Sequence, residues 1–347
     1  MSVSARAAST AVASSPGLVA RGSTPGLQTA SSSRSAISEH VENAGVHSGD
    51  ATLVVPPQRT YLETIRRVRK ITQEIARSLR IDGPFNIQFL AKGNEVRVIE
   101  CNLRASRSFP FVSKILKTNF IAQAMKVMMG HPVPKLSNSL LDLDYVGVKA
   151  PHFSFTRLDG ADPTLGVEMA STGEVACLGN DFEEAFLKAM LSVGYRLPIR
   201  SVLLSTGPIE AKATFIEKSR MLERLGLTLY ATHGTARFLR ENGIQVTELY
   251  WPLEQQSPNV LEYLTQRKID LVLNIPKNYQ EEELTNDYLI RRRAADFGIP
   301  LLTDIQLAHR FVEAISCKSI EDLEVKSYSA YQHHSSHYVI AGGLSSR

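Results

Sequence analysis

The stretch Phe85-Asn-Ile-Gln-Phe-Leu-Ala-Lys-Gly-Asn-Glu-Val-Arg-Val-Ile-Glu-Cys-Asn102 reads as two short strands, Phe85 to Ala91 and Glu95 to Asn102, folded about a Gly93-Asn94 turn. Side chains alternate across a strand, so Asn86, Gln88, Glu100 and Asn102, which share parity, project from one face of the hairpin. With the turn centred near Asn94, Gln88 stands opposite Glu100. A carboxylate flanked by amide oxygens is a hard, oxygen-only donor set. It suits Mg²⁺ that keeps some water and shares its shell with nucleotide phosphates. Just beyond lie Arg104 and Arg107, whose planar guanidinium groups can take phosphate oxygens bidentately. That is a phosphoryl-transfer layout. The same residue types also describe a partly buried polar hairpin face satisfied by neighbouring helices, and residue types alone do not choose between the two.

Outward from the hairpin, Thr60 to Arg80 carries Leu62, Ile65, Val68, Ile71, Ile75 and Leu79 at three- and four-residue steps, one apolar stripe on a helix. A second helix is expected over Phe120 to Met129. Short strand-like runs from Pro151 to Leu197, with a helix near Glu184 to Leu191, complete a first, α+β unit over residues 38–197. The rhythm then becomes regular. Ser201–Ser205, Leu227–Thr232, Gln245–Trp251, Asp270–Ile275 and Pro300–Thr303 read as strands separated by helical stretches. Such alternation implies a parallel sheet with right-handed crossovers, so residues 198–320 are expected to form a small doubly wound α/β domain.

The flanks differ in texture. Residues 1–37 are rich in Ala, Ser, Gly and Thr, contain Arg6, Arg21 and Arg34, and have no acidic residue. The expectation is a disordered leader, either an organelle transit peptide or a non-native start. Residues 321–347 are expected to be a flexible tail. Its His333, His334 and His337 fit a solvated terminus, with metal binding as the alternative.

The 347 residues, 43% apolar, suffice for two cores. The net charge of +4 comes from basic residues spread along helices rather than gathered in a tract, which argues against nucleic acid as a partner. No apolar run reaches the roughly 18 residues of a membrane span, so a soluble protein without a membrane role is expected. Cys101, Cys177 and Cys317 lie far apart without metal-ligand spacing, as reduced structural thiols would.

In the second unit, Thr232-His-Gly-Thr235 falls where a strand ends and a helix begins. Gly234 permits a tight turn, and free amides with the helix dipole favour an anion there. Asn274 ends another strand, at the edge where doubly wound sheets bind ligands. Thr and Gly are also ordinary helix-cap residues, so a plain cap remains the alternative.

The run Phe85-Asn-Ile-Gln-Phe89 followed by Val98-Ile-Glu-Cys-Asn-Leu-Arg-Ala-Ser-Arg-Ser-Phe-Pro-Phe-Val-Ser-Lys114 resembles the metal-binding segment of the second ATP-grasp unit of carbamoyl-phosphate synthase large chains. By that resemblance Gln88, Glu100 and Asn102 hold Mg²⁺ or Mn²⁺, and Arg104 and Arg107 contact phosphate. Glu39-His-Val-Glu-Asn-Ala-Gly-Val-His-Ser-Gly-Asp50 is similar to the family loop beside ATP, which implies Gly45, Val46, His47 and Ser48 near adenine and ribose. Leu229-Tyr-Ala-Thr-His-Gly-Thr-Ala236 resembles the family's effector domain, a fold shared with methylglyoxal synthase. Matching positions place Thr232, Thr235, Trp251 and Asn274, with Lys212, around an anionic small-molecule effector.

Trp251 stands where nucleotide-regulated bacterial forms carry Lys and animal forms Trp. Lys277 and Asp287 replace two Asn of the N-acetylglutamate-activated type, while Asn274-Ile-Pro-Lys-Asn278 with Leu284-Thr-Asn286 is closer to some bacterial forms.

The resemblance implies a ligase that phosphorylates carbamate, derived from bicarbonate, with ATP for pyrimidine, arginine or urea synthesis. The remaining synthase or glutaminase subunit would be a partner, in the cytoplasm or alternatively a mitochondrion. The match runs from about Ala36 to Ser316 and lacks the first synthetase half and the front lobes of the ATP-grasp unit, so no synthesis is expected from this chain alone. The alternative is a stand-alone regulatory or interaction module. A lyase of the methylglyoxal-synthase type is disfavoured because the Gly-Gly-Asp segment it needs is absent.

Overall fold

The computed structural model describes residues 6–14, 34–131, 143–276 and 281–333. The first layer is an antiparallel sheet. In chain order its elements are strands β1 (Arg6–Ser14), β2 (Arg34–Asn43) and β3 (Leu53–Val55), helix α1 (Leu62–Ser78), strands β4 (Gly83–Lys92) and β5 (Glu95–Asn102), helices α2 (Ser108–Ile115) and α3 (Phe120–Met128), strands β6 (Val146–His152) and β7 (Gly173–Gly179), and helix α4 (Phe182–Ser192). The sheet order is β5-β4-β1-β2-β3-β6-β7.

The second layer starts at β8 (Ser201–Thr206) and continues through α5 (Ile209–Arg224), β9 (Thr228–Thr232), α6 (His233–Glu241), β10 (Thr247–Leu249), α7 (Val260–Thr265), β11 (Leu271–Ile275), α8 (Glu281–Asp296), β12 (Leu301–Leu302) and α9 (Ile305–Cys317), with a last turn, α10 (Ala330–His333). Its strands are all parallel in the order β10-β9-β8-β11-β12. The order reverses at β8, as the alternation of strands and helices predicts for a doubly wound sheet.

Three expectations are corrected. First, part of the acid-free leader is a strand: β1 inserts between β4 and β2, pairing antiparallel with both. Each of those strands would otherwise present an unpaired edge inside the sheet, so backbone hydrogen bonding supplies the order that the composition does not suggest.

Second, the tail is anchored through residue 331. Tyr331 is 4% exposed, packs edge-on to Tyr145 at 5.7 Å and donates to the Leu178 carbonyl at 3.0 Å. Tyr328 Oη donates to the Lys114 carbonyl at 2.7 Å. His334 and His337 lie outside the described residues.

Third, the contact face of α1 is rotated from the apolar stripe. Thr64, Val68, Thr72 and Ala76 are buried while Leu62 and Leu79 are exposed. The smaller side chains lie at the closest approach, and Ile65, Ile71 and Ile75 pack along its flanks.

The layers are fastened by one continuous core. Val148 and Ala150 of β6 and Phe186 of α4 share a cluster with Val202 of β8, Leu273 of β11 and Phe311 of α9, all at most 1% exposed. Each such buried large side chain contributes about 2 kcal/mol. Two glycines set the spacing. A Cβ on Gly147 would lie 1.9 Å from Ile115 Cδ1, and one on Gly179 would lie 2.4 Å from the Ala185 nitrogen. These positions seat α2 against β6 and α4 against β7.

At the layer boundary Glu313 of α9 meets Lys218 of α5 at 3.0 Å, Arg310 at 2.7 Å and Arg59 of the first layer at 2.8 Å. Burial alone would raise the Glu313 carboxyl, but these three cations hold it down at about 2.

Candidate functional site

The hairpin pairs Asn86 with Asn102 and Gln88 with Glu100. A simple two-residue turn, with Lys92 opposite Glu95, would bring Ile99 opposite Gln88. The ladder instead shifts by one residue between Gln88 and Phe89, whose partner is Val98. This bulge at Ile99 aims Glu100 at Gln88 and is the local device that makes the donor set. Asn102 Nδ2 donates to Glu100 Oε1 at 2.8 Å and Gln88 Nε2 donates to Ser48 Oγ at 2.9 Å. With both amide nitrogens so engaged, the two amide oxygens and Glu100 Oε2 remain as acceptors. That is an oxygen set fitted to a hard cation, with one carboxylate and therefore a need for further oxygens from a ligand. Among the described residues no group of three or more His, Cys, Asp or Glu could hold a metal.

The loop Gly45–Ser48 follows β2 and folds beside this set. Gly45 has φ +111°, a conformation suited to glycine. His47 Nδ1 accepts from Gly49 N at 3.0 Å, and His47 N donates to the Gly166 carbonyl at 2.7 Å. The imidazole therefore closes its own turn. Val46 packs on the first-layer core.

Arg104 is exposed, with one weak bond to the Ala105 carbonyl at 3.4 Å. Arg107 reaches Met169 Sδ at 3.0 Å and Ser171 Oγ at 3.4 Å. Neither makes an ion pair among the described residues, so both guanidinium groups keep donors that could serve an anion.

Several residues that hold this site were not singled out from sequence. Asp50, fully buried, accepts from Ala170 N at 2.8 Å and Ser171 N at 2.9 Å, and Lys149 Nζ donates to the Gly49 carbonyl at 3.1 Å. Burial depresses the Lys149 ammonium, partly offset by Glu174 at 3.6 Å. His40, also buried, is pushed down to about 3 by desolvation and then by Lys149 and His47. The hydrogen-bond partners of Asp50 and Lys149 are 100 or more residues away in the chain, and no local motif announces them.

Glu42 lies at the junction of the two layers, where it borders a cavity of about 620 Å³ together with Phe153, Tyr195 and Thr303. It is 1% exposed. Its Oε2 accepts from Thr52 N at 2.7 Å, while Oε1 has no partner among the described residues. Burial, then the Asp304 carboxylate, pushes its acid up to about 8.

In the second layer Thr232 occupies the N-cap position of α6 but makes no side-chain cap. Its hydroxyl turns to Ser205 Oγ at 3.3 Å. Thr235 Oγ1 bonds the Thr206 carbonyl at 3.2 Å, and Lys212 Nζ donates to the Gly234 carbonyl at 3.1 Å. The plain-cap alternative is thus not what the Thr232 side chain does, and the first α6 amides are left for another acceptor.

Asn274 is fully buried. Its amide donates to Asp287 Oδ1 at 2.8 Å and accepts from Arg291 Nη1 at 2.8 Å. It therefore belongs to a buried hydrogen-bond network behind Thr232 rather than to an exposed surface. Trp251, half-buried, follows β10, with its carbonyl accepting from Asn259 Nδ2 at 2.8 Å. Lys277 and Asn278 lie outside the described residues.

A hairpin with an amide and carboxylate face on an antiparallel sheet, followed by a doubly wound parallel domain, defines an ATP-grasp-type unit joined to a methylglyoxal-synthase-like module. Family models agree: residues 36–136 match the carbamoyl-phosphate synthase L chain, ATP binding domain, and residues 214–303 match the MGS-like domain. The chain is similar to the multifunctional protein pyr1-3 of Dictyostelium discoideum, 50% identical over 288 residues, covering 81% of this chain and 13% of that protein. It is 46% identical over 306 residues to the mitochondrial carbamoyl-phosphate synthase (ammonia) of Homo sapiens, covering 85% and 20%. A solved biotin carboxylase domain of a single-chain bacterial carboxylase aligns with 11% identity over 56% of this chain and 47% of that one, at a TM-score of 0.38.

The chain belongs to the carbamoyl-phosphate synthase large-chain family and spans about an eighth to a fifth of the length of these relatives. No helix among the described residues is long and apolar enough to cross a membrane.

Proposed function

We propose that this chain is the part of a carbamoyl-phosphate synthase large chain that grips the metal-nucleotide complex from one side and carries the effector domain. Gln88, Glu100 and Asn102 would hold Mg²⁺ or Mn²⁺, with Gly45, Val46, His47 and Ser48 against the nucleoside of ATP. Arg104 and Arg107 would take phosphate oxygens. A bound divalent ion would neutralise charge on the transferring phosphoryl group. In the whole enzyme a carbamate oxygen attacks the terminal phosphorus of ATP and ADP departs, giving carbamoyl phosphate. This chain's residues orient and neutralise, and the rest of the synthase, with a glutaminase subunit as partner, would supply bicarbonate-derived carbamate. The pathway served is then pyrimidine or arginine synthesis, in the cytoplasm or alternatively a mitochondrion. An anionic metabolite would bind at Thr232, Thr235, Lys212 and Trp251, above the Asn274 network.

The observation that carries this reading is the bulged register that sets Glu100 opposite Gln88 with Ser48 bonded beside it. Calorimetric titration with Mg·ADP tests it. Glu100→Gln should weaken binding at least about tenfold, since the one charged ligand of the set is lost. Equal affinity in both proteins refutes the metal site. A second reading, a stand-alone anion-binding module whose ATP-grasp part only braces the effector domain, is favoured by the core shared between layers. It predicts saturable thermal stabilisation by an anion with no response to Mg·ADP.

A further inference from the structure

We infer that Arg291 is a positioning residue that ties the effector edge of the second sheet to the nucleotide loop of the first, acting through residues 155–171. On the effector side the bonds are continuous. Thr232 Oγ1 meets Ser205 Oγ at 3.3 Å, Ser205 Oγ meets Asp287 Oδ1 at 3.4 Å, and Asn274 bridges Asp287 and Arg291 at 2.8 Å each. All five residues are at most 4% exposed. Arg291 then forks onto a residue of the first unit, with Nε to Asp162 Oδ1 at 2.7 Å and Nη2 to Asp162 Oδ2 at 2.6 Å. A bidentate charged pair fixes direction as well as distance.

Its neighbours on α8 hold the same segment. Arg292 donates to the carbonyls of Phe155, Leu158 and Ala161 at 2.9–3.0 Å, and Tyr288 Oη donates to Gly160 at 3.0 Å. The far end of that segment is the mount of the nucleotide loop. His47 N bonds the Gly166 carbonyl, Asp50 takes the amides of Ala170 and Ser171, and Ser171 Oγ meets both Gly49 and Arg107. One guanidinium therefore orients the Asn274 amide and anchors the strip on which the nucleotide loop rests. This deepens the proposed effector reading, and depends on it only for what drives the signal.

Hydrogen exchange on the full chain tests the link without ligand. Asp162→Asn and Arg291→Lys should each speed exchange at His47, Asp50, Ala51, Ala170 and Ser171 about tenfold. The exposed-pair control Arg220→Ala should leave them unchanged. Acceleration confined to α8 and residues 155–162 overturns the inference. If Arg291→Lys does not fold, Asp162→Asn decides, because the Asp162 side chain is 36% exposed and its loss leaves the core intact.

With inorganic phosphate, the wild type should gain protection at 233–236 and at 47–51, and Asp162→Asn at 233–236 alone. Protection of both regions in both proteins overturns the coupling. Phosphate that protects neither region in the wild type overturns the effector reading, while the ligand-free comparison still judges the link.

Discussion

Glu42→Gln should stabilise this protein, and more so the higher the pH. The carboxyl is 1% exposed and, among the described residues, bonded through one oxygen only, and burial with Asp304 raises it from 4.5 to about 8. An acid whose folded pKa is raised contributes its full stability below the unfolded value, and that contribution is lost as pH rises towards the folded value. In the window from 4.5 to about 8 the unfolded chain ionises while the native one keeps its proton. Each unit in that window costs about 1.4 kcal/mol, so the native state loses about 3 kcal/mol between about pH 5 and about pH 7.5. Glutamine keeps the acceptor for Thr52 N and does not titrate. Urea unfolding of both proteins at those two pH values isolates the effect, because other titrating groups largely cancel in the difference. The advantage of the variant should grow by about 2–3 kcal/mol from the lower to the higher pH. A difference that is flat with pH, or that shrinks as pH rises, refutes a protonated Glu42.

Three other outcomes are expected. His40, held neutral to about 3 against an ordinary 6.5, gives stability present above 6.5 and lost as pH falls below it. His40→Gln should therefore flatten the acid limb of a stability-against-pH curve, and an unchanged limb would count against the burial argument. Gly147→Ala sets a methyl into Ile115 and should cost about 1–3 kcal/mol in urea melts, partly restored by Ile115→Val. Tyr331→Ala removes the anchor of the tail. It should cost about 2–4 kcal/mol and expose residues 320–330 to protease, whereas wild-type resistance would show that the strap is idle.

The doubly wound domain was legible because most of its strands are short, largely apolar runs followed by a helical stretch, and all five were expected at nearly their observed places. The hairpin was legible for a related reason: the Gly93-Asn94 turn and the parity of Gln88, Glu100 and Asn102 are local. The bulge at Ile99, which makes that pairing work, has no signature of its own. β1 and the tail were misread because composition reports only what a segment can bury by itself. Arg6–Ser14 gains its order from two vacant strand edges, and Tyr331 from a socket between Tyr145 and Leu178. The exposed ends of α1 mislead in the opposite direction, since a stripe of large residues marks a face only to within one position when small residues sit at the contact. Asp50, Lys149, Asp162 and Arg291 were invisible because each acts on a partner 100 or more residues away.

Because Val148, Phe186, Val202, Leu273 and Phe311 sit in a single cluster, the boundary near residue 197 is a change of topology without a seam. The protein should melt in one transition, and separating the halves would leave each with a raw apolar flank. Motion between them must take the form of small sliding repacking within a common interior, as a wide swing about residue 197 would tear that interior open.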